Sequence, residues 1–180
     1  MSNTYYDDKV RVLISQEKIQ ERVAELGAAI TRDFAGTKPV VIGILKGSFI
    51  FLADLVRHIA LPITCDFIGI SSYGNATTSS GVVQITRDLE QSIEDKDVLI
   101  VEDIIDSGLT IQYLMANLTT RRPRSVRICT LLHKPDNIRV PMTMDYVGFA
   151  IPNEFVVGFG LDCAEMYRNL PFIGVYHGNT

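Results

Sequence analysis

An α/β domain, built on a mostly parallel twisted sheet with helices on both faces, is the fold this sequence predicts. Three observations predict it. Short continuous apolar runs at residues 40–45 and 98–101 read as strands buried on both sides, and 126–132 reads as a third central strand. The stretches between them carry apolar residues at helical spacing. The two kinds of segment alternate along the chain, as they do in repeated β-α-β units.

Each element can be justified in turn. Ser15 is placed to cap a helix whose apolar positions, Ile19, Val23, Leu26 and Ile30, fall on one face. Gly36-Thr37-Lys38-Pro39 ends that unit. The run at 40–45 is a strand, and after Lys46-Gly47-Ser48 the spacing of Phe49, Leu52, Ala53 and Val56 becomes helical. Residues 63–70 alternate through Ile63, Cys65 and Phe67 as a strand does. Residues 71–81 are small and polar and cannot build a core, so they read as a lid between two strands, the second at 82–87. The strand at 98–101 leads into a turn at 102–110 and then a helix with Ile111, Leu114, Met115 and Leu118 on one face. Arg121-Arg122-Pro123-Arg124 ends that helix and reads as a solvated basic end. The strand at 126–132 closes at His133-Lys134-Pro135, and short strands follow at 146–149 and 155–159.

Bulk properties narrow the function. The chain has 180 residues, 47% hydrophobic and 21% charged, which suits one folded domain. A net charge of −4 argues against a surface devoted to nucleic acid. No run of about 18 apolar residues is present, and the start lacks the basic and apolar parts of a signal peptide, so a cytoplasmic protein is expected. Cys65, Cys129 and Cys163 are too few and too scattered for a disulfide framework; Cys65 and Cys129 read as buried thiols. No zinc-ligand spacing and no Walker phosphate loop occur.

In open parallel sheets, ligands lie at the carboxyl ends of the strands. That rule singles out Lys46 and Gly47, residues 102–110, and Lys134. The segment from Glu102 to Thr110 is rich in chemistry. Two adjacent carboxylates, Glu102 and Asp103, end a buried strand, and a third acid, Asp106, follows. Ser107-Gly108-Leu109-Thr110 then opens a helix whose free N–H groups and dipole suit a phosphate. The neighbouring acids suit sugar hydroxyls or a hydrated Mg2+ ion.

Val98-Leu99-Ile100-Val101-Glu102-Asp103-Ile104-Ile105-Asp106-Ser107-Gly108-Leu109-Thr110 resembles the phosphoribosyl pyrophosphate signature of the type I phosphoribosyltransferases. Leu45-Lys46-Gly47-Ser48 looks like the pyrophosphate loop of that family. Ser72-Tyr73 looks like the start of its mobile catalytic loop. Leu131-Leu132-His133-Lys134-Pro135 and the stretch from Ile151 to Asp162, with Arg168 after it, are similar to the base-binding parts of its purine members. The match runs from about residue 10 onward and is nearest to the bacterial hypoxanthine and hypoxanthine-guanine enzymes. Three positions depart from relatives: Ser107 replaces Thr, Leu109 replaces Lys, and Ser48 replaces Gly.

The resemblance implies one phosphoribosyltransferase domain over 1–180. In it, a hood formed by the N-terminal and C-terminal segments covers a purine base. It implies phosphoribosyl pyrophosphate and hypoxanthine or guanine as substrates, Mg2+ as cofactor, and a homodimer or homotetramer, with no nucleic-acid or membrane partner. Asp106 becomes the general base, with Lys46, Ser72 and Tyr73 as the other catalytic positions. Glu102, Asp103, Ile105, Asp106, Ser107, Gly108, Leu109 and Thr110 would bind the phosphoribosyl group. Lys46, Gly47 and Arg168 would bind pyrophosphate. Lys134, Phe155, Val156 and Asp162 would bind the base, and Glu102, Asp103 and Asp162 would hold metal. The family's peptide bond before the loop lysine is often cis. The competing reading is a non-catalytic member of the same fold that senses nucleotides or binds RNA. Asp106 could otherwise be a helix cap, Lys134 a solvated lysine, Phe155 a core aromatic, and Asp162 with Arg168 a surface ion pair.

Overall fold

The computed structural model describes residues 9–72 and 83–178. Tyr73 and the rest of the proposed lid after Ser72 therefore lie outside the described residues, while Ser71 and Ser72, read as part of that lid, continue a strand.

Among the described residues, six strands form the main sheet in the order β4-β3-β2-β5-β6-β7. They are β2 (Val40–Leu45), β3 (Thr64–Ser72), β4 (Val83–Arg87), β5 (Asp97–Ile105), β6 (Ser125–His133) and β7 (Tyr146–Ala150). Every pairing is parallel except β3 with β4, which is antiparallel. The helices are α1 (Gln16–Asp33), α2 (Phe49–Arg57) and α3 (Leu109–Thr119). Side chains alternate across each strand, so neighbours serve opposite faces. Val41, Leu99, Val101, Cys129 and Leu131 pack with α1 and α2. Val40, Ile42, Ile44, Val98, Ile100 and Ile128 pack with Ile111, Leu114 and Leu118 of α3. The sheet thus has helices on both faces.

The expected start of the first helix is observed. Ser15 is its N-cap, extended in backbone, with its hydroxyl accepting from Lys18 N. The expected inward face, Ile19, Val23, Leu26 and Ile30, is buried.

Two expectations need correction. The strand read at 98–101 continues through Glu102 and Asp103 to Ile105, because β6 pairs with it along that length, Glu102 opposite Thr130 and Ile104 opposite Leu132. Cys65 is exposed, near the start of β3, while Cys129 is buried as expected.

A second sheet has the order β1-β9-β8. It consists of β1 (Val10–Ile14), β8 (Val156–Val157) and β9 (Ile173–Tyr176), with β9 antiparallel to both neighbours. Periodicity does not mark β1 or β9, since β1 is short and largely unburied and β9 spans only four residues. This small sheet brings the first and last described segments beside the Phe155 region, for Tyr176 N donates to Phe155 O.

Candidate active site

The carboxyl ends of β2, β5 and β6 lie side by side in the main sheet. Each contributes a different chemistry to one cleft.

β2 ends at Leu45, and the Leu45–Lys46 peptide is cis. Gly47 then passes against the strand that carries the acids. A Cβ at residue 47 would lie 1.7 Å from Asp103 Oδ2, so only glycine fits. From the other side Gly160, at φ +104°, comes so close that its own Cβ would lie 2.0 Å from Gly47 O. The loop after β2 is therefore clasped between the acidic strand and the segment after β8.

β5 presents Glu102 and Asp103, both buried. Burial, reinforced for Glu102 by the neighbouring Asp103 charge, pushes both carboxyls upward. Among the described residues, Glu102 Oε2 is buried without a hydrogen-bond partner. A buried oxygen of that kind calls for a ligand. Two adjacent oxygen donors fit Mg2+, which is held by one or two carboxylates and keeps waters or phosphate oxygens for the rest of its shell. Asp162 stands on a separate loop. Among the described residues, no three histidine, cysteine or carboxylate side chains converge as a ready-made metal cage.

Beyond β5 the chain turns through Asp106, Ser107 and Gly108 into α3. Gly108 is the N-cap, left-handed at φ +82°. Its backbone carbonyl accepts from Gln112 N. A cavity of about 150 Å3 opens here, lined by Glu102, Asp106, Ser107, Gly108, Thr110 and Ile70 among others. A larger groove of about 310 Å3 lies between α3 and the β6–β7 connection, where Met115, Pro141 and Met142 line it, away from the acid pair. Chemistry, rather than size, selects the smaller one.

Asp106 does not cap the helix. Its Oδ2 accepts from Lys134 Nζ at 3.0 Å and its Oδ1 from Asn137 Nδ2 at 2.8 Å. Lys134 is no solvated lysine, being only 8% exposed. Its backbone N donates to Ile105 O, which fixes it beside β5.

Phe155 is 47% exposed, so it is not a core aromatic. Its ring stands edge-on to Tyr176, 6.2 Å between centroids. Val156 beside it is buried. Arg168 contacts Asp162 at 2.8 Å, and its NH1 donates to Gly160 O at 2.7 Å. Lys46 Nζ lies 2.9 Å from Glu165 Oε2, and Arg168 reaches the same oxygen at 3.5 Å. Lys46 holds Glu165 below the usual carboxylate range. Of Ser72, only the backbone at the end of β3 is described. Ile105 and Leu109 bracket the turn, with Leu109 N reaching Ser107 Oγ at 3.4 Å. Spacing does not single out Asn137 or Glu165. The one local signal for Glu165 is its place three residues before Arg168.

A phosphoribosyl transferase domain model matches residues 14–164. The chain belongs to the phosphoribosyl transferase family. The hypoxanthine-guanine phosphoribosyltransferase of Bacillus subtilis (strain 168) is 52% identical over 168 residues, covering 93% of each chain. The crystal structure of a hypoxanthine-guanine phosphoribosyltransferase from Bacillus anthracis superposes with a TM-score of 0.88 at 53% identity, covering 92% of this chain and 97% of that one. A hypoxanthine phosphoribosyltransferase from Staphylococcus aureus gives a TM-score of 0.92 at 46% identity, covering 98% and 96%. The acid pair, the turn into α3 and the glycine clasp all lie within the matched phosphoribosyl transferase region.

Proposed function

We propose that this chain is a 6-oxopurine phosphoribosyltransferase of purine salvage. It transfers the 5-phosphoribosyl group from phosphoribosyl pyrophosphate to hypoxanthine or guanine, giving IMP or GMP and pyrophosphate. The observation that carries this reading is the ion pair between buried Lys134 and half-exposed Asp106 beside the turn into α3. It sets an oxygen-recognising ammonium and a proton acceptor where the base and the sugar meet.

The 5-phosphate sits on the N–H groups and hydroxyls of residues 106–110 at the start of α3. Glu102 and Asp103 hold the ribose hydroxyls and favour the cation-like sugar electrostatically. The same two carboxylates, with Asp162 on its own loop, would hold Mg2+, whose positive charge would offset the negative charge of pyrophosphate. Lys46, the Gly47 backbone and Arg168 bind the departing pyrophosphate. Purine N9 forms the bond to C1 of the ribose as the C1–pyrophosphate bond breaks. The N7 proton then passes to Asp106, which is basic enough because N7 becomes acidic as the ring gains positive charge.

Lys134 donates to O6 of the purine. A 6-amino group would present donor to donor, so adenine is disfavoured. Phe155 stacks on the ring, and backbone carbonyls at Val156 and Asp162 accept from its edge. Ser72 and Tyr73 begin the lid, residues 71–81, which keeps water from the sugar cation. The whole chain works as one domain under its hood. Action in the cytoplasm is part of the same proposal; none of the described helices is long and apolar enough to cross a membrane. A homodimer or homotetramer, implied by the family resemblance, is part of the same proposal.

The deciding experiment is initial rates with phosphoribosyl pyrophosphate, Mg2+ and each of hypoxanthine, guanine, xanthine and adenine, for wild type and Asp106→Asn. Fast turnover of a 6-oxopurine, slowed about 10²- to 10⁴-fold in the variant, is expected. No turnover of any base by protein that still binds phosphoribosyl pyrophosphate would sink the enzyme reading in favour of a nucleotide sensor.

A further inference from the structure

Asn137 closes the 3-10 turn Pro135–Asn137 just after Lys134. Its Nδ2 donates to Asp106 Oδ1 at 2.8 Å and to Asn153 Oδ1 at 2.8 Å. One amide nitrogen carries two hydrogens, so both bonds form at once. The carboxylate can only accept from it, which fixes the orientation of the Asn137 amide and then that of Asn153.

The bridge joins two parts of the cleft. Asp106 stands on the turn between β5 and α3, and its side chain is 48% exposed. A half-exposed carboxylate on a turn is free to change rotamer unless held. Asn153 lies in the segment leading to Phe155, and that segment is tied to β6 as well, Ile151 N donating to His133 O at 2.9 Å. Lys134 holds the other carboxylate oxygen at 3.0 Å. Asn137 holds Asp106 Oδ1 independently of Lys134.

We propose that Asn137 is the positioning residue for Asp106: through Asn153 it couples the carboxylate to the hood, so that proton acceptor and purine platform keep one geometry. A neutral amide suits this task, because a second cation there would stabilise the carboxylate further and weaken it as a base. The proposal rests on the reading of Asp106 as general base.

The test is the single-turnover rate of nucleotide formation with phosphoribosyl pyrophosphate, Mg2+ and hypoxanthine, alongside the dissociation constant for phosphoribosyl pyrophosphate. Asn137→Ala removes the bridge. Asn137→Asp keeps its shape but replaces donor by acceptor. Both are expected to slow the chemical step about 10- to 100-fold, a part of what a general base supplies. Asn137→Asp should be at least as slow as Asn137→Ala. Affinity for phosphoribosyl pyrophosphate should stay within about twofold. In an Asp106→Asn background Asn137→Ala should add less than about twofold, since residues acting through one another are not additive. An undiminished effect in that background overturns the proposal. So do unchanged rates in the single variants when Asp106→Asn is slow, which leaves the base reading intact. Full activity of Asp106→Asn itself overturns both.

Discussion

Lys134 Nζ and Asp106 Oδ2 form a 3.0 Å ion pair in which the lysine is buried and the aspartate is half exposed. The asymmetry matters, because the buried partner has little water to turn to and must be satisfied by protein or ligand. Lys134→Ala is therefore expected to raise KM for hypoxanthine by about one to two orders of magnitude and to narrow the preference over adenine. Steady-state rates with both bases check this. An unchanged ratio of kcat/KM values would remove Lys134 from substrate selection.

The glycine clasp makes a second prediction. A Cβ on Gly47 meets the Asp103 carboxylate, and one on Gly160 meets the Gly47 carbonyl at a φ that L side chains rarely adopt. Gly160→Ala should destabilise the fold by about 1–3 kcal/mol, read from urea unfolding. Gly47→Ala should cost kcat/KM for phosphoribosyl pyrophosphate at least about 10-fold, because loop and acid pair are forced apart. Wild-type kinetics in Gly47→Ala would mean that this close approach has no bearing on catalysis.

Leu99 and Ile100 lie on opposite faces of the central strand, each fully buried in a different cluster. Truncating either to alanine should cost about 2–5 kcal/mol. Two similar losses in denaturant titrations indicate that the sheet needs both of its helical layers. A negligible loss for Ile100→Ala would show the α3 side to be dispensable.

Tyr146 gives a prediction in pH. Burial first, and then its hydrogen bond to Asp33, push its phenol up from 10.0 to about 12, against the opposing pull of Arg127. Its hydroxyl donates to Asp33 Oδ2 at 2.8 Å and accepts from Arg127 NH1 at 2.9 Å. The folded state thus favours the neutral phenol. Its contribution is complete below pH 10 and is lost as pH rises toward about 12. Urea midpoints should fall faster over that window for wild type than for Tyr146→Phe, and parallel curves would discount the coupling.

Much of this architecture can be read from residue order. The parallel strands betray themselves because burial on both sides demands unbroken apolar runs, as at Val40–Leu45. β5 hides its last four residues, since Glu102 and Asp103 look like a turn until β6 is known to pair beside them. β1 and β9 are invisible to periodicity because they stabilise each other across nearly the whole chain. At the site, ordered acids and hydroxyls mark Glu102, Asp103, Asp106, Ser107 and Thr110. Lys134 is marked by its place at the carboxyl end of a strand, and its role by resemblance alone. Asn137 and Glu165 carry no such mark, because what they touch, Asp106 and Lys46, is set by the folded path and not by spacing.

The small sheet also shapes how this protein opens. Its strand order, β1-β9-β8, can form only after chain segments from far apart have met, so its closure entropy is not recovered until late in folding. The main sheet has no such dependence, since β2, β5 and β6 meet across intervening segments of moderate length. Amide hydrogens of β1 and β9 should therefore exchange through local opening, ahead of those of β5. A purine held under Phe155 would slow that exchange at Tyr176, whose N–H is bonded to Phe155 O, and so report occupancy from the far end of the chain.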